Sequence, residues 1–483
     1  MPAAWALVNV RVWDGVDDDL TRDAISFDDD GRVATVGARE AVVAGLGSPA
    51  DVVDGEGATV VPAFVDAHTH IRAAASASVS ADCRDIGSTN ELLALVAAEA
   101  ARATPGTWVT LTGLDPYTLG SPLPGRTELD RVSGDHPVRI RHRSLHAWLL
   151  NSAAAGRVAA EIGEAPLDGL VVDDRGVLRH AFGRVCEPFV QEQAVRDWSQ
   201  RRLREGVVAV LDATVTNGAA EIAQLRAWST RGVIRQGVRA MVGEGEAADP
   251  ADAAIVAGTK LMFAGETRAA GGARERIQGA WKTSHRVAIH CADIEALGDV
   301  IAAVEAVPGD GRRLLRIEHA ALAPPEWLPR IAAFAEAVVT QPGFVHAHGD
   351  RYLATIDGPL HPWLYRLRSW LDAGVALAAG SDEPAGPADP LVAWRAMIDR
   401  QTSGGSTLGD QESLTRRQAF RALSATAADV SGFEGLGHLR PGARGSVVLL
   451  VGDPFETLNL DEVGVSGIVL DGRVVATAGP QRP

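Results

Sequence analysis

The sequence predicts an α/β protein in which eight parallel strands, each followed by a helix, close into a (β/α)8 barrel. Eight short apolar runs alternate with alanine-rich helical patterns along the middle of the chain. Such runs are typical of parallel strands covered by helices, and eight units over this length favour a closed barrel. Both ends of the chain instead alternate β-rich runs with Asp/Gly turns, which indicates a separate small sheet domain.

The eight runs can be placed in order along the chain. They are VVPAFVDAHTH (60–70), VVAVLDAT (207–214), VIRQGVRAMVG (233–243), GTKLMFAG (258–265), RVAIHCAD (286–293), LLRIEHA (314–320), AEAVVTQP (335–342) and GVALAAGSDEP (374–384). An open, doubly wound sheet is the alternative arrangement, but no GxGxxG motif follows any of these runs. We therefore expect the closed barrel.

The two ends of the chain carry the same kind of pattern. WALVNVRVW and DAISFDDDGRVATVG lie near the N-terminus, and RPGARGSVVLLVGDP and VSGIVLDGRVVATAG near the C-terminus. Because chain termini often lie close together, we predict that residues 1–62 and 433–483 form one small sheet domain and that residues 63–432 form the barrel. The segment between the first two barrel runs is far longer than a βα crossover needs, so we expect an inserted subdomain, about residues 72–205, over the barrel mouth.

The composition excludes several classes of function. The 483 residues carry a formal net charge of −16, and an acidic surface repels nucleic acids and anionic membranes. The three cysteines form no CxxC pair, so we expect neither a disulfide framework nor a zinc finger. The N-terminal segment lacks a signal-peptide pattern, and no apolar stretch is long enough to cross a membrane. We therefore expect a cytoplasmic protein that acts on a small molecule.

Candidate metal ligands stand at the ends of several runs, where the functional groups of a (β/α)8 barrel gather. The first run ends Asp66-Ala67-His68-Thr69-His70. Because residues i and i+2 share one face of a strand, His68 and His70 can bind one ion together. Later runs carry, in chain order, Lys260, His290, His319 and Asp382. A single HxH is weak evidence, but a candidate ligand on one run after another predicts a metal site.

Several of these motifs resemble those of the amidohydrolase superfamily. PAFVDAHTH, VAIHCAD, RIEHA and GSDEP are similar to its strand signatures. PGARGSVVLLVGDP is similar to the segment that closes its terminal β-sandwich, so the resemblance implies that the small sheet domain, residues 1–62 and 433–483, is a β-sandwich. Within the superfamily, PVRIRHRSLHAWLLNSA, VTQPG and SDEPAGPADPL resemble the YtcJ-like amidohydrolase 3 group. The resemblance covers nearly the whole chain.

The resemblance implies a binuclear centre with two divalent ions per chain. The more buried ion would be bound by His68, His70 and Asp382, the more exposed ion by His290 and His319, and a carboxylated Lys260 would bridge them. A free ammonium cannot ligate a cation, whereas a carbamate is an oxygen ligand. Zinc is the expected metal, with cobalt or manganese as alternatives. For Lys260, a salt bridge to a barrel acid is the alternative role.

The implied reaction is hydrolysis of an amide-type C–N bond in an amide, formamide, carbamate or urea. The two ions would share a bridging water, lower its pKa and make hydroxide available. Asp382 would pass a proton to the leaving amine. In the predicted insertion, His146 and His180 are candidate substrate contacts. His180 stands where the group often has a glutamate, so this contact is expected to differ from that of the family.

Other functions stay open. A mononuclear deaminase would bind one ion and use His290 with Asp293, but such deaminases lack the strand-four lysine. A non-catalytic barrel scaffold would be expected to have lost ligands, and a phosphate- or carbohydrate-binding barrel would need a Gly-rich loop that GSDEPAG does not offer. His346 and His348 follow the seventh run and repeat the HxH spacing outside a strand, so we expect a loop or lid there. The oligomeric state is open, with a homodimer as one alternative.

Overall fold

The computed structural model describes residues 4–17, 20–46, 51–163, 168–172, 177–185, 192–263, 272–284, 286–307 and 315–477. The strands in this part of the chain, numbered in chain order, are β1 (Trp5–Val8), β2 (Arg11–Val12), β3 (Ala24–Phe27), β4 (Val33–Gly37), β5 (Val52–Asp54), β6 (Thr59–Pro62), β7 (Phe64–Thr69), β8 (Ala81–Asp82), β9 (Val109–Leu114), β10 (Val138–His142), β11 (Ala147–Leu150), β12 (Leu170–Val172), β13 (Val207–Asp212), β14 (Gly237–Gly243), β15 (Val256–Met262), β16 (Val287–Cys291), β17 (Leu315–His319), β18 (Ala335–Thr340), β19 (Ala376–Ala379), β20 (Val447–Val451), β21 (Gly464–Leu470) and β22 (Arg473–Thr477).

The α-helices are numbered in the same way. They are α1 (Arg39–Ala44), α2 (Ile71–Ser78), α3 (Thr89–Arg102), α4 (Pro116–Leu119), α5 (Arg126–Ser133), α6 (Ser152–Ile162), α7 (Val177–Val185), α8 (Glu192–Arg204), α9 (Ala219–Thr230), α10 (Ala273–Thr283), α11 (Ile294–Glu305), α12 (Leu328–Ala332), α13 (Gly343–Thr355), α14 (Arg368–Asp372), α15 (Pro390–Asp399), α16 (Arg416–Leu423) and α17 (Ala425–Ser431). Among the described residues, no helix is both long and apolar enough to span a membrane.

Eight parallel strands form the central sheet, in the order β7-β13-β14-β15-β16-β17-β18-β19. Each strand neighbours the next one in the chain, and the two edge strands meet where Asp382 N donates to His68 O at 2.8 Å. A doubly wound sheet would instead reverse its strand order at a switch point. Each of the eight predicted runs contains or overlaps one of these strands, so the (β/α)8 prediction is confirmed.

The meeting of the first and last strands requires a residue without a side chain. A Cβ on Gly380, just after β19, would lie 2.5 Å from His68 Cβ and 2.7 Å from His68 N. Glycine therefore allows the end of the last strand to approach the first metal-ligand candidate. The ends of β7 and β19 therefore lie directly beside each other.

The run at 60–70 differs from its prediction as a single strand. It divides into β6 and β7, which belong to different sheets: β6 pairs with β20, whereas β7 pairs with β13. Ala63, between them, donates its N–H to Ser446 O at 3.1 Å. Both halves are buried, so the sequence pattern continues without a break although the chain passes from one sheet to another.

The terminal segments form two sheets with a shared core. One sheet has the order β4-β3-β1-β5, and the other has the order β2-β6-β20-β21-β22 and thus combines both ends of the chain. Apolar side chains from both sheets pack together, among them Leu7, Ile25, Phe27, Val60 and Val447. This is the arrangement of a β-sandwich. The bounds 1–62 and 433–483 stay a prediction.

The end of α17 accepts hydrogen bonds from three arginines near the beginnings of barrel strands. Val430 O accepts from Arg286 Nη1 at 3.1 Å and from Arg316 Nη1 at 3.3 Å, and Gly432 O accepts from Arg239 Nη1 at 3.1 Å. Cations are favoured at a helix C-terminus because they satisfy its last carbonyls and its dipole. The opposite ends of the strands carry the candidate ligands.

The chain divides into two compact units, and the second spans His70–Trp198. It contains a five-stranded sheet of order β12-β11-β10-β9-β8, with an apolar core between the sheet and its helices. His146 lies in the connection between β10 and β11. His180 belongs to α7, but its side chain lies outside the described residues. The predicted bounds of the insertion, about 72–205, stay a prediction.

Candidate metal centre

Three of the predicted ligands come together in the structure. Among the described residues, His68, His319 and Asp382 form a buried group whose ligand atoms all lie within 4.8 Å of one another. His68 Nε2 lies 3.5 Å from Asp382 Oδ1. The His290 ring packs edge-on against the His319 ring, with centroids 4.4 Å apart. The three grouped residues come from β7, β17 and the turn after β19, and His290 lies on β16.

Two of the candidate ligands have an unusual backbone conformation. His319 has φ 69°, its neighbour Ala320 has φ 46°, and Asp382 has φ 53°. Residues other than glycine rarely adopt this left-handed conformation, which costs about 1–3 kcal/mol per residue at strained functional sites. Because His319 and Asp382 both have this conformation, their surroundings must stabilise it. The conformation sets the direction in which each side chain leaves the backbone.

Lys260 is buried beside this group. It lies on β15 with 2% of its surface exposed, and its Nζ has no hydrogen-bond partner among the described residues. The nearest acid is Glu318, whose Oε2 is 4.0 Å away. Burial lowers the pKa of Lys260 to about 8. The neutral amine is therefore much more accessible than in an exposed lysine.

Glu318 and Arg316, which the sequence analysis did not select, complete the buried surroundings of His68. Glu318 Oε2 accepts from His68 Nδ1, and Arg316 Nε donates to Glu318 Oε1 at 2.5 Å. Burial alone would raise the pKa of Glu318, but Arg316 and Lys260 hold it well below its usual range. A signal was present: two charged residues alternate within the apolar run LLRIEHA, and buried charges are normally paired.

The surroundings of His68 and His319 favour the neutral form of both imidazoles. Burial, together with the charge of Lys260, lowers the pKa of His68 to about 3, and burial also lowers the pKa of His319. Gln341 Oε1 accepts from His319 Nδ1 at 2.7 Å. Metal ligation requires neutral imidazole, with a second partner on the other nitrogen to fix the tautomer. Both rings meet these conditions.

Asp66 ties the first and last strand ends together and was also missed as a functional residue. It accepts from Ser381 N at 2.9 Å and from Ser381 Oγ at 2.6 Å. Arg202 Nη2 donates to it at 2.9 Å. The alternation in Asp66-Ala67-His68 places Asp66 on the same strand face as His68, which is the signal that could have identified it. It fixes the backbone just before Asp382.

The remaining candidates have varied positions. His70 occupies the N-cap position of α2, one residue after β7, and stays a predicted ligand. Asp293 caps α11, where its carboxylate accepts from Ala296 N at 2.6 Å. His346 and His348 lie within α13 rather than in a loop. Residues two apart on a helix point in different directions, so their HxH spacing does not have the geometry that it has on a strand.

The group is suited to a divalent metal ion. Its donors are two imidazoles and a carboxylate, which are ligands that zinc and similar ions prefer. Three buried polar atoms close to it in sequence or space have no hydrogen-bond partner among the described residues: Lys260 Nζ, Thr69 Oγ1 and Gln341 Nε2. Buried polar atoms are normally satisfied. Their presence here indicates that further groups complete the site.

Comparisons with known proteins find similar hydrolases over most of the chain. The chain is 27% identical to an N-substituted formamide deformylase of Arthrobacter pascens, over 92% of this chain and 93% of the relative. It is 22% identical to a candidate amidohydrolase, YtcJ, of Bacillus subtilis (strain 168), over 92% and 94%. The fold resembles that of an uncharacterized metal-dependent hydrolase from Pyrococcus horikoshii OT3, with a TM-score of 0.75, 21% identity, and coverage of 94% of this chain and 99% of that one.

A family model decides the assignment. The model of the amidohydrolase family matches residues 51–476, which include every candidate ligand. Together with the match to YtcJ, it confirms the resemblance to the YtcJ-like amidohydrolase 3 group. The chain therefore belongs to the amidohydrolase family and is a hydrolase that acts on carbon–nitrogen bonds.

Proposed function

We propose that the protein is a binuclear metal-dependent hydrolase of small molecules that carry an amide-type C–N bond, with N-substituted formamides as the first class to test. The observation that carries this proposal is the buried group His68, His319 and Asp382 at the ends of three strands of the barrel sheet. The formamide class is suggested by the named activity of the Arthrobacter pascens relative. Amides, carbamates and ureas share the same bond and are the alternatives.

The proposed centre holds two ions. His68, His70 and Asp382 would bind one, and His290 and His319 the other. The contact between the His290 and His319 rings, with centroids 4.4 Å apart, supports a shared second position. Zinc is the proposed metal, with cobalt or manganese as alternatives. When bound, the ions supply Lewis acidity and lower the pKa of a water molecule towards neutrality.

We further propose that Lys260 is carboxylated and bridges the two positions. In that reaction the neutral amine adds to the carbon of CO₂ and releases one proton, which leaves an anionic carbamate. The unpartnered, buried Nζ and its pKa of about 8 support this role. The alternative, a salt bridge to a barrel acid, has Glu318 as its partner at 4.0 Å. That distance is beyond a hydrogen bond.

The histidines and Asp382 have different proposed roles in the centre. As neutral rings, His68 and His319 would each offer a nitrogen lone pair to the metal, because Nδ1 of each ring donates a hydrogen bond, to Glu318 and to Gln341 respectively. Asp382 would take a proton from the attacking water and deliver it to the leaving nitrogen, since amines are poor leaving groups until they are protonated. Its carboxylate stands beside His68 Nε2 at 3.5 Å.

The mononuclear deaminase is less well supported. It would need the acid after His290 as a proton shuttle, but Asp293 already accepts from Ala296 N at 2.6 Å as the N-cap of α11. Removing an N-cap contact costs about 1 kcal/mol, so the carboxylate has a structural role. The buried Lys260 also has no part in such a deaminase.

Metal titration with a substrate panel tests the proposed function. Chelator-treated protein should regain hydrolysis of N-alkyl and N-aryl formamides as Zn²⁺ is added, with a break at two equivalents per chain. Formate release reports activity, and elemental analysis reports the metal. Matched acetamides, carbamates and ureas show whether the formyl group is preferred. A break at one equivalent in fully active protein would contradict the binuclear centre and favour the deaminase.

His146 and His180 stay proposed substrate contacts, and His146 can be tested directly. His146→Ala should raise KM by about 3–10-fold with little change in kcat, because loss of one neutral hydrogen bond costs about 0.5–1.5 kcal/mol. His136→Ala is the matched control, because the His136 ring makes a hydrogen bond to Thr107 O through Nδ1, at 2.9 Å. Steady-state kinetics that show an unchanged KM for His146→Ala would exclude this contact.

A further inference from the structure

The two histidines of the candidate metal group have partners of different charge. His68 Nδ1 donates to Glu318, and both side chains are almost fully buried. His319 Nδ1 donates to Gln341 Oε1 at 2.7 Å. If Nδ1 donates in each ring, Nε2 carries the lone pair that is available to a metal ion. One histidine therefore has an anionic partner and the other a neutral one.

The neighbours of Glu318 indicate that it is a carboxylate. Arg316 donates through Nε to Oε1 at 2.5 Å and through Nη2 to Oε2 at 3.2 Å. A group that receives protons on both oxygens acts as an acceptor only, as a carboxylate does. Arg316 lies two residues before Glu318 on β17, so the two side chains share one face of the strand.

Arg316 is itself held from two directions. Its Nη2 donates to Ala67 O, next to His68, and its Nη1 donates to Val430 O at 3.3 Å. The side chain has no measurable exposure. A buried arginine with this many partners has a fixed position, because its planar guanidinium donates in set directions. The result is a continuous chain of contacts from the end of α17 through Arg316 and Glu318 to His68.

The charge of the partner matters for metal binding. A carboxylate that accepts from a ligand histidine fixes its tautomer and also raises its basicity, whereas an amide fixes the tautomer without adding charge. Hydrogen bonds to ionised groups are roughly twice as strong as neutral ones. We propose that Glu318, held by Arg316, is a positioning residue that makes His68 the stronger metal-binding histidine, while Gln341 only orients His319. This inference rests on the proposed metal centre.

Metal affinity of the apoprotein tests the inference without an activity assay. Competition with a chelating dye gives the Kd for Zn²⁺ of wild type, Glu318→Gln and Gln341→Met. Glu318→Gln should weaken the tightest Zn²⁺ by about 10–100-fold, the range for loss of an outer partner of a ligand. Gln341→Met, which removes the neutral acceptor of His319, should lower the affinity for Zn²⁺ by a smaller factor. The number of ions at saturation is measured in the same titration and tests the binuclear centre separately.

Thermal unfolding separates positioning from a general structural role. Zn²⁺ raises the Tm in proportion to its binding free energy, so Glu318→Gln should show a smaller Zn²⁺-induced rise while the Tm of its apoprotein stays near that of wild type. If the single variant does not fold because Arg316 is left buried without its charge partner, the double variant Arg316→Met with Glu318→Gln removes both charges together. The double variant should show the same 10–100-fold loss of Zn²⁺ affinity.

Two results would overturn the inference. One is a folded Glu318→Gln protein, or a folded double variant, with a Zn²⁺ Kd within about threefold of wild type, well short of the expected range. The other is a loss in Gln341→Met that equals or exceeds the loss in Glu318→Gln. A wild-type protein that binds a single ion would refute the binuclear proposal, but the comparison between Glu318 and Gln341 would still decide this one.

Discussion

Replacing Lys260 by alanine should lower kcat by about 10³-fold or more, because it removes the group that we propose bridges the two metal positions. Metal ions at a hydrolytic site contribute several kcal/mol, and about 4 kcal/mol corresponds to about 10³ in rate. The zinc content should fall below two ions per chain. Acetate or propionate should restore part of the activity, since a small carboxylate can enter the space left by the buried side chain. Formate release and elemental analysis measure these effects.

The composition provides an unusually clean control for this experiment. The chain has only two lysines, Lys260 and Lys282, and Lys282 is exposed on α10. Lys282→Ala should therefore retain both metal and activity. After incubation with ¹³C-bicarbonate, a carbamate carbon signal should appear in wild type and in Lys282→Ala but not in Lys260→Ala. Full activity of Lys260→Ala without any additive, or wild type without a carbamate signal, would leave the salt bridge to Glu318 as the role of this lysine.

The sequence predicted the barrel because strand burial and strand ends are local properties. Each apolar run reflects one buried strand, and functional side chains gather where parallel strands end. His68, His319 and Asp382 could therefore be selected without knowing which strands are neighbours. The break at Ala63 could not be predicted, because burial continues across it while the pairing partner changes from β20 to β13.

The surroundings of the ligands depend on strand register and on local backbone conformation. Glu318 pairs with His290, and His319 with Cys291. Successive residues of a regular strand face opposite sides, so a single sequence suggests that only one of Glu318 and His319 reaches the centre. Both do, because His319 leaves the extended conformation at φ 69°. The left-handed conformation of His319, rather than the residue pattern, places Glu318 and His319 on the same side of the strand.

Long-range charge pairs were beyond prediction for a related reason. Asp66 and Arg202 are 136 residues apart in the chain and form a buried contact at 2.9 Å. Either residue alone could have been an exposed charge, since most are. Similarly, the spacing of His346 and His348 could be interpreted only once their secondary structure was known. Both lie on α13, which directs the two side chains apart.

Replacing Asp382 by asparagine should separate metal binding from proton transfer. General acid–base help contributes about 10²–10⁴-fold, so kcat should fall by at least about 10²-fold. Asparagine has nearly the same size and still offers an oxygen, and its backbone N–H keeps the bond to His68 O. Much of the metal should therefore remain. Asp389→Asn is the matched control: Asp389 caps α15 through Leu391 N at 2.8 Å, and asparagine is an equally good N-cap.

The leaving group decides whether Asp382 moves protons or only binds metal. An alkylamine must be protonated before it departs, whereas an activated anilide or an ester departs with less proton assistance. If Asp382 is the proton shuttle, the loss in kcat should be larger for N-alkyl formamides than for activated anilides or esters, at equal metal content. A ligand without a proton-transfer role would produce the same loss for every leaving group. Retained metal together with a kcat within about threefold of wild type, far below the range for general acid–base catalysis, would assign the proton transfer to another residue.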